Sequence, residues 1–404
     1  MKGTLWWLFL GLMFLIAIAT RRGMLSVLIL VLALAAGLSA LWARYCLSKV
    51  TYKRLLANDH IGHGEEAVMT LEFVNAKPLP LAWLQVVDQF PRNLQLLTEQ
   101  TRYTVSREYV FFSTMLALRW YERVTHTHRI LGSQRGRYRL GPAQLISGDV
   151  FGFRQSRRED TEVEELVVYP KVVPVSALGL PSGRPIGEWL GPRRIIEDPL
   201  RFSAVREYVP GDNPRSIHWR ATARTGALQT KVFEPSATRL IALVVDSQTT
   251  PQAYAYIPEH LELVATAAAS LAIHALGERY AVGLWTNDIG PGGQGWTEVK
   301  PSRHPQQRST LLTALAGLGP ISGSTFMTVL RMMRRRLPYG ATVIAITAMP
   351  DEAVYQALLA LQEGGHPVQL YTVGDEPMQP PETLPSFHLG GRDVWQRLTT
   401  LELA

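Results

Sequence analysis

The stretch Arg206–Gly226 gathers Arg206, Asp212, Arg215, His218, Trp219, Arg220 and Arg224 in one short polar and aromatic run. Three kinds of chemistry suit these residue types. Asp212 and His218 are the types of a general acid–base pair, which would make the chain a hydrolase or transferase. No nucleophile or metal-ligand set accompanies them at a recognisable spacing, so no catalytic residue is assigned. The four arginines could instead grip phosphate or carboxylate, since each guanidinium donates bidentately to such groups. A third reading is structural, and it is the preferred one. The arginines pair with Glu207, Asp212 and Glu234, and Tyr208 and Trp219 pack against a neighbouring sheet. A docking surface for a partner ranks next. Residues 210–214, Pro-Gly-Asp-Asn-Pro, read as a tight turn under any of them.

The elements that follow must position these groups. Leu240–Val245 is a continuous apolar run, as buried parallel strands are, and Asp246 closes it. Further strands are predicted at Tyr280–Trp285, Trp296–Lys300, Ala341–Thr347 and Val368–Val373. Helices are predicted at Glu259–Gly277, Pro305–Gly317, Ser324–Leu337, Asp351–Glu363 and Gly391–Leu401. The second and third strands are joined by a short glycine loop and should pair antiparallel, whereas the strands alternating with helices should be parallel. That loop, Gly290–Gly295, matches G-x-G-x-x-G, but a strand follows it where a dinucleotide fingerprint needs a helix, so its glycines are turn residues. Asp246 then sits at the C-terminal edge of an open α/β sheet, the usual place for a ligand or partner. Arg331, Arg334, Arg335 and Arg336 end one helix, where cations complement its dipole and could meet an anionic membrane surface.

Upstream, Lys53–Pro170 alternates apolar and polar residues in short runs split by Gly and Pro. This predicts a β-sandwich of immunoglobulin-like type, with no catalytic constellation of its own. Thr4–Thr20 and Met24–Cys46 are apolar throughout and are separated by Arg21 and Arg22, which predicts a transmembrane helical hairpin. Lys2, Arg44, Lys49, Lys53 and Arg54 flank the hairpin on one side, so the positive-inside bias puts the large C-terminal part in the cytoplasm of a plasma (inner) membrane protein with two passes. The predicted organisation is multidomain. A helical hairpin occupies 1–50, a sandwich 51–175, a linker with the polar segment 176–238, and an α/β domain 239–404. The net charge of +7 suits an anionic partner. Its arginines are scattered, without an aromatic stripe or a known module, so nucleic acid is not expected. The lone Cys46 excludes an internal disulfide.

The polar segment, together with Gly132–Gly141 and Gly148–Phe153, resembles the bacterial family called domain of unknown function 58. From Arg239 onward the order of elements is similar to the von Willebrand factor A fold. That resemblance implies a Mg2+ site built on D-x-S-x-S after the first strand, a loop threonine and a later Asp. Here Asp246 stands first, Gln248 and Thr250 replace the two serines, and Thr325 matches the threonine. Thr347 stands where the later Asp would be, with Asp351 four residues on. One secure carboxylate is too few, so no metal or other cofactor is assigned. The family resemblance implies a non-enzymatic, membrane-embedded adaptor or assembly protein. It would act beside a MoxR-type AAA+ ATPase and other membrane proteins. The candidate partner- or ligand-binding residues are Arg206, Asp212, Arg215, His218, Trp219, Arg224, Asp246, Gln248, Thr250 and Thr325.

Overall fold

A computed structural model of the chain describes residues 23–97, 102–105, 109–150, 152, 154–178, 197–209, 216–235, 240–252, 255–290 and 293–400. The chain divides into two compact units, Met1–Val168 and Tyr169–Ala404. Thr4–Thr20, Asp212 and Arg215 lie outside the described residues.

The first unit opens with helix α1 (Gly23–Tyr45). Nineteen of its residues, Val27–Tyr45, are long and apolar enough to cross a membrane. The carbonyls of the turn that follows it are held by cations. Lys77 Nζ donates to the carbonyls of Cys46 at 2.5 Å and Ser48 at 2.8 Å, and Arg158 Nη1 to that of Leu47 at 2.9 Å. Positive charge just beyond the helix end complements its dipole, and the turn carbonyls gain donors. Burial pulls the Lys77 ammonium down to about 8.

The strands behind it alternate buried and exposed residues, the pattern of sheets with one face in a core. One sheet runs β1 (Val50–Leu56), β3 (Glu66–Asn75), β8 (Arg123–Leu131) and β5 (Gln95–Leu96). A second runs β11 (Gln155–Asp160), β10 (Ala143–Gly148), β4 (Leu81–Pro91), β7 (Tyr109–Leu118) and β6 (Arg102–Val105). A third, smaller sheet pairs β2 (His60–Ile61), β12 (Glu164–Val168) and β9 (Gly136–Leu140). Met69, Leu71 and Phe73 of β3 share one core with Leu84, Val86 and Phe90 of β4 and Phe112 of β7. A charged pair sits inside that core. Arg54 Nη1 donates to Asp88 Oδ1 at 2.8 Å, and the Tyr52 hydroxyl donates to Asp88 Oδ2 at 2.6 Å. Arg54 also donates to the Glu162 carbonyl, which ties β1 to the turn before β12.

In the second unit, β13 (Glu197–Glu207) and β14 (Gln229–Pro235) form an antiparallel pair with helix α2 (Trp219–Thr225) between them. The remainder is an α/β layer structure. Its sheet has the order β17 (Thr297–Ser302), β16 (Ala281–Thr286), β15 (Leu240–Val245), β18 (Thr342–Thr347), β19 (Val368–Thr372) and β20 (Ser386–His388). Only the β16–β17 pairing is antiparallel. All six side chains of β15 are buried, because helices cover both faces. Helices α3 (Pro258–Gly277) and α4 (Gln307–Ala316) pack on one face. On the other lie α5 (Phe326–Arg334) and α6 (Glu352–Glu363). Helix α7 (Arg392–Thr400) closes the chain. The apolar α3 would also satisfy a membrane-span test, but most of it is buried in this core.

Candidate functional site

The strand order of the α/β sheet reverses between β15 and β18, and open sheets of this kind present a crevice at that point, beyond the C-terminal strand ends. Asp246 leaves β15 there and is 2% exposed. Its carboxylate is surrounded by donors. Oδ1 accepts from Asn287 Nδ2 at 2.8 Å and from the Gln248 N–H at 3.0 Å. Oδ2 accepts from Thr347 Oγ1 at 2.7 Å. Burial is the largest influence on this carboxyl and pushes it up to about 6, with the three hydrogen bonds opposing and Asp351 adding to the rise.

The network continues outward in both directions. Asn287 Oδ1 accepts from the Ser247 N–H at 2.7 Å, which turns the Asn287 amide nitrogen toward Asp246. Thr347 Oγ1 accepts from the Met349 N–H at 2.9 Å. Three loops that leave adjacent strands are therefore tied through one carboxylate. The same donors answer the question of a divalent ion. A hard cation needs carboxylate, hydroxyl or carbonyl oxygens facing inward. Here an amide NH2, a backbone N–H and a hydroxyl proton occupy those directions, and the residues do not suit the ion.

The remaining candidates fall elsewhere on the edge. Gln248 Nε2 bonds the Thr250 carbonyl at 3.0 Å, and Thr250 Oγ1 bonds the Ala255 carbonyl at 2.6 Å, so both side chains order the loop between β15 and α3. Thr325 is the N-cap of α5, its hydroxyl accepting from the Thr328 N–H. Asp351 caps α6 in the same manner, through the Val354 N–H at 2.7 Å. Among the described residues no cluster of three His, Cys, Asp or Glu side chains is arranged to hold a metal.

Sequence reasoning missed the partner loops. Asn287 and Gly323 are joined by a backbone hydrogen bond of 2.7 Å, and Asp288 pairs with Ser322 as an isolated bridge. The loops approach so closely at Gly295 and Gly323 that a Cβ on either would meet the backbone of the other, at 2.7 and 2.6 Å. This ladder lifts Ile289 and Ile321 out of the fold, 53% and 55% exposed. Tyr256, 47% exposed, stands on the neighbouring loop before α3. Three exposed apolar side chains thus stand on loops beside the polar crevice. The signal in the sequence was the Asn287-Asp288-Ile289 run directly after a predicted strand.

The polar segment is rebuilt by the structure. His218 is the N-cap of α2, its Nδ1 accepting from the Ala221 N–H at 3.0 Å. Gly226 ends the helix with φ 72°, a left-handed cap suited to glycine. The His218 N–H donates to the Gln229 carbonyl at 2.7 Å, which locks the helix onto β14. Trp219 is not packed on a sheet, contrary to the sequence expectation. It is 68% exposed, because the first turn of a short helix with no buried residue points it outward. Arg206 Nη1 donates to the Glu207 carbonyl, and Arg220 and Arg224 are exposed.

A second ordered cluster lies beyond β19. Asp375 accepts from the Arg392 N–H at 2.9 Å and from its guanidinium at 2.8 Å, and His260 Nε2 lies 3.2 Å away. Arg392 holds the Asp375 carboxyl far below the usual carboxylate range. These contacts fasten the start of α7 to the start of α3.

A family model described as protein of unknown function DUF58 matches residues 204–379. The Bacillus subtilis (strain 168) protein named uncharacterized protein YeaD is 24% identical over 217 residues, covering 52% of this chain and 50% of that one. The chain thus spans about half the length of this relative. Among solved structures, the chain is similar to the CARDB domain of a Pyrococcus furiosus protein, at 12% identity over 30% of this chain and 91% of that one, with a TM-score of 0.21. It is also similar to a non-cellulosomal cohesin from Archaeoglobus fulgidus, at 10% identity over 30% and 91%, with a TM-score of 0.21. A collagen-binding domain from a Staphylococcus aureus adhesin matches at 10% identity over 29% and 95%, with a TM-score of 0.18.

Proposed function

We propose that the chain is a membrane-anchored adaptor that presents a von Willebrand factor A-like domain to a protein partner, a MoxR-type AAA+ ATPase. The observation that carries this reading is the edge at the strand reversal. A buried carboxylate orders three loops there, and the loops display Ile289, Ile321 and Tyr256 to solvent. Rigid loops with exposed apolar tips lower the ordering cost of association. The α/β sheet, with its single antiparallel pairing at one edge, supports the fold assignment. The β-sheet unit that follows α1 serves as an immunoglobulin-like spacer. With positive residues clustered after α1, both units lie on the cytoplasmic side of the inner membrane.

Asp246 acts in this reading as a loop-orderer with no bound ion. His218 serves in this reading as the cap of α2, through its Nδ1. Arg206, Trp219 and Arg224, exposed on the β13–β14 pair and its helix, offer a secondary contact surface in this reading.

Capture of the tagged full chain from native membranes tests the reading. An AAA+ ATPase should co-purify with the wild type and be depleted with Ile289→Ser/Ile321→Ser. An eluate free of any ATPase, under conditions that preserve weak complexes, would overturn it.

A further inference from the structure

The turn that follows α1 carries more positive charge nearby than its carbonyls need. Lys77 and Arg158 already satisfy Cys46, Leu47, Ser48 and Val50, and Ser156 Oγ donates to the Ala43 carbonyl. Arg44 and Arg154 remain. Arg44 leans over the Tyr45 ring at 6.0 Å, and neither guanidinium has an ion-pair partner among the described residues. Both line one open cavity of about 600 Å³, together with Gly37, Ala40, Leu41 and Ser156. Two like charges facing a shared space favour an anion there.

The cavity does not end at the arginines. A second groove of about 450 Å³, lined by Leu30, Ala33, Leu34, Gly37, Leu38 and Leu41, shares Gly37 and Leu41 with the first. The two are therefore continuous along α1. The upper part is almost wholly apolar, and the lower part ends in two cations. Gly37 and Ala40 keep the helix surface low along this path. If Val27–Tyr45 crosses the hydrocarbon, Arg44 falls at its boundary, where headgroup phosphates lie.

We infer that this channel is a binding site for one anionic phospholipid, with the phosphate between Arg44 and Arg154 and an acyl chain along Leu30, Leu34 and Leu41. The chemistry excludes a free phosphate as the intended ligand, because most of the channel is apolar. A zwitterionic lipid would bring its own cation against the two arginines. The inference rests on the reading of α1 as a membrane helix.

The test reconstitutes the full chain into vesicles of equimolar phosphatidylglycerol and phosphatidylcholine. Flotation is measured first, and retained lipid is then counted by native mass spectrometry after mild detergent extraction. Wild type should float and retain one phosphatidylglycerol in preference to phosphatidylcholine. Each of Arg44→Gln and Arg154→Gln should weaken that retention roughly fivefold, and the double variant roughly thirtyfold. Arg308→Gln, which removes the same charge from an exposed position in the other unit, should leave it unchanged. Excess inorganic phosphate should not compete. Equal retention of the two lipids, or retention indifferent to the double variant in protein that still floats, would overturn the lipid site alone. Failure of the wild type to float with vesicles would overturn the membrane reading and the site with it.

Discussion

Thr347 Oγ1 donates to Asp246 Oδ2 at 2.7 Å, joining the ends of β18 and β15, two strands separated by 101 residues of chain. The bond spans the point where the sheet reverses its order, so the crevice floor is closed by side chains from both halves of the sheet. Its loss leaves a buried carboxylate oxygen without a donor. Thr347→Val should therefore destabilise the full chain by about 1–3 kcal/mol, read by chemical denaturation in micelles. An unchanged midpoint would mean that the bond contributes nothing net.

Asp246 also sets a pH dependence. Burial raises its carboxyl from 3.8 to about 6, so the folded chain binds this proton more tightly than the unfolded chain does. The stabilisation is full below the unfolded value and is lost as pH rises through about 6. A shift of this size corresponds to about 3 kcal/mol. The stability gap between wild type and Asp246→Asn should therefore move against the wild type by an amount of that order between pH 4 and pH 7.5. A gap that stays constant across this range would contradict the assigned environment.

In the β unit, Asp88 sits between Arg54 and Tyr52 with its side chain fully buried beside theirs. Removing one member of a buried pair strands the other charge in a medium that solvates it poorly. Asp88→Ala should cost about 3–5 kcal/mol, and the double variant Arg54→Met/Asp88→Leu should cost less than Asp88→Ala alone. Thermal unfolding of the three proteins decides it. A double variant less stable than Asp88→Ala would show that the pair does more than satisfy itself.

His218 and Trp219 separate wiring from docking within the polar segment. His218→Ala removes a helix cap and should lower stability by about 0.5–2 kcal/mol, with His218→Asn recovering most of it. Trp219→Ala removes an exposed side chain and should change stability by no more than about 0.5 kcal/mol. Any loss of partner capture by Trp219→Ala is then a surface effect. A large drop in its melting temperature would place Trp219 in a packed environment instead.

Much of the α/β architecture was legible in the residues. Leu240–Val245, Ala341–Thr347 and Val368–Val373 are apolar runs of strand length, and helical segments with caps alternate with them. The antiparallel β16–β17 pair followed from its glycine loop. β20 was not legible, because three residues behind Pro377, Pro380, Pro381 and Pro385 carry no period of their own and pair only through β19. β13 begins inside what reads as a Gly- and Pro-rich linker, and only its partner β14 makes it a strand. In the crevice, Asp246 could be named from its position after the first strand. Thr347 could be placed beside it only through the von Willebrand resemblance, at the position of the later Asp, and Asn287 could not be assigned to it, since its distance along the chain is set by a whole crossover connection. Thr325 stands at the threonine position of the von Willebrand pattern, but a threonine before a helix is also a cap, and capping is what it does here.

The central claim is that a protein partner docks on the loops at the strand reversal. The most direct measurement is site-specific photocrosslinking in native membranes, with the reactive side chain at position 289 and a control at position 120 of the β unit, which is also exposed. The account predicts an adduct with an AAA+ ATPase from position 289 and none from position 120. No adduct from 289, or adducts of equal yield from both, would contradict it.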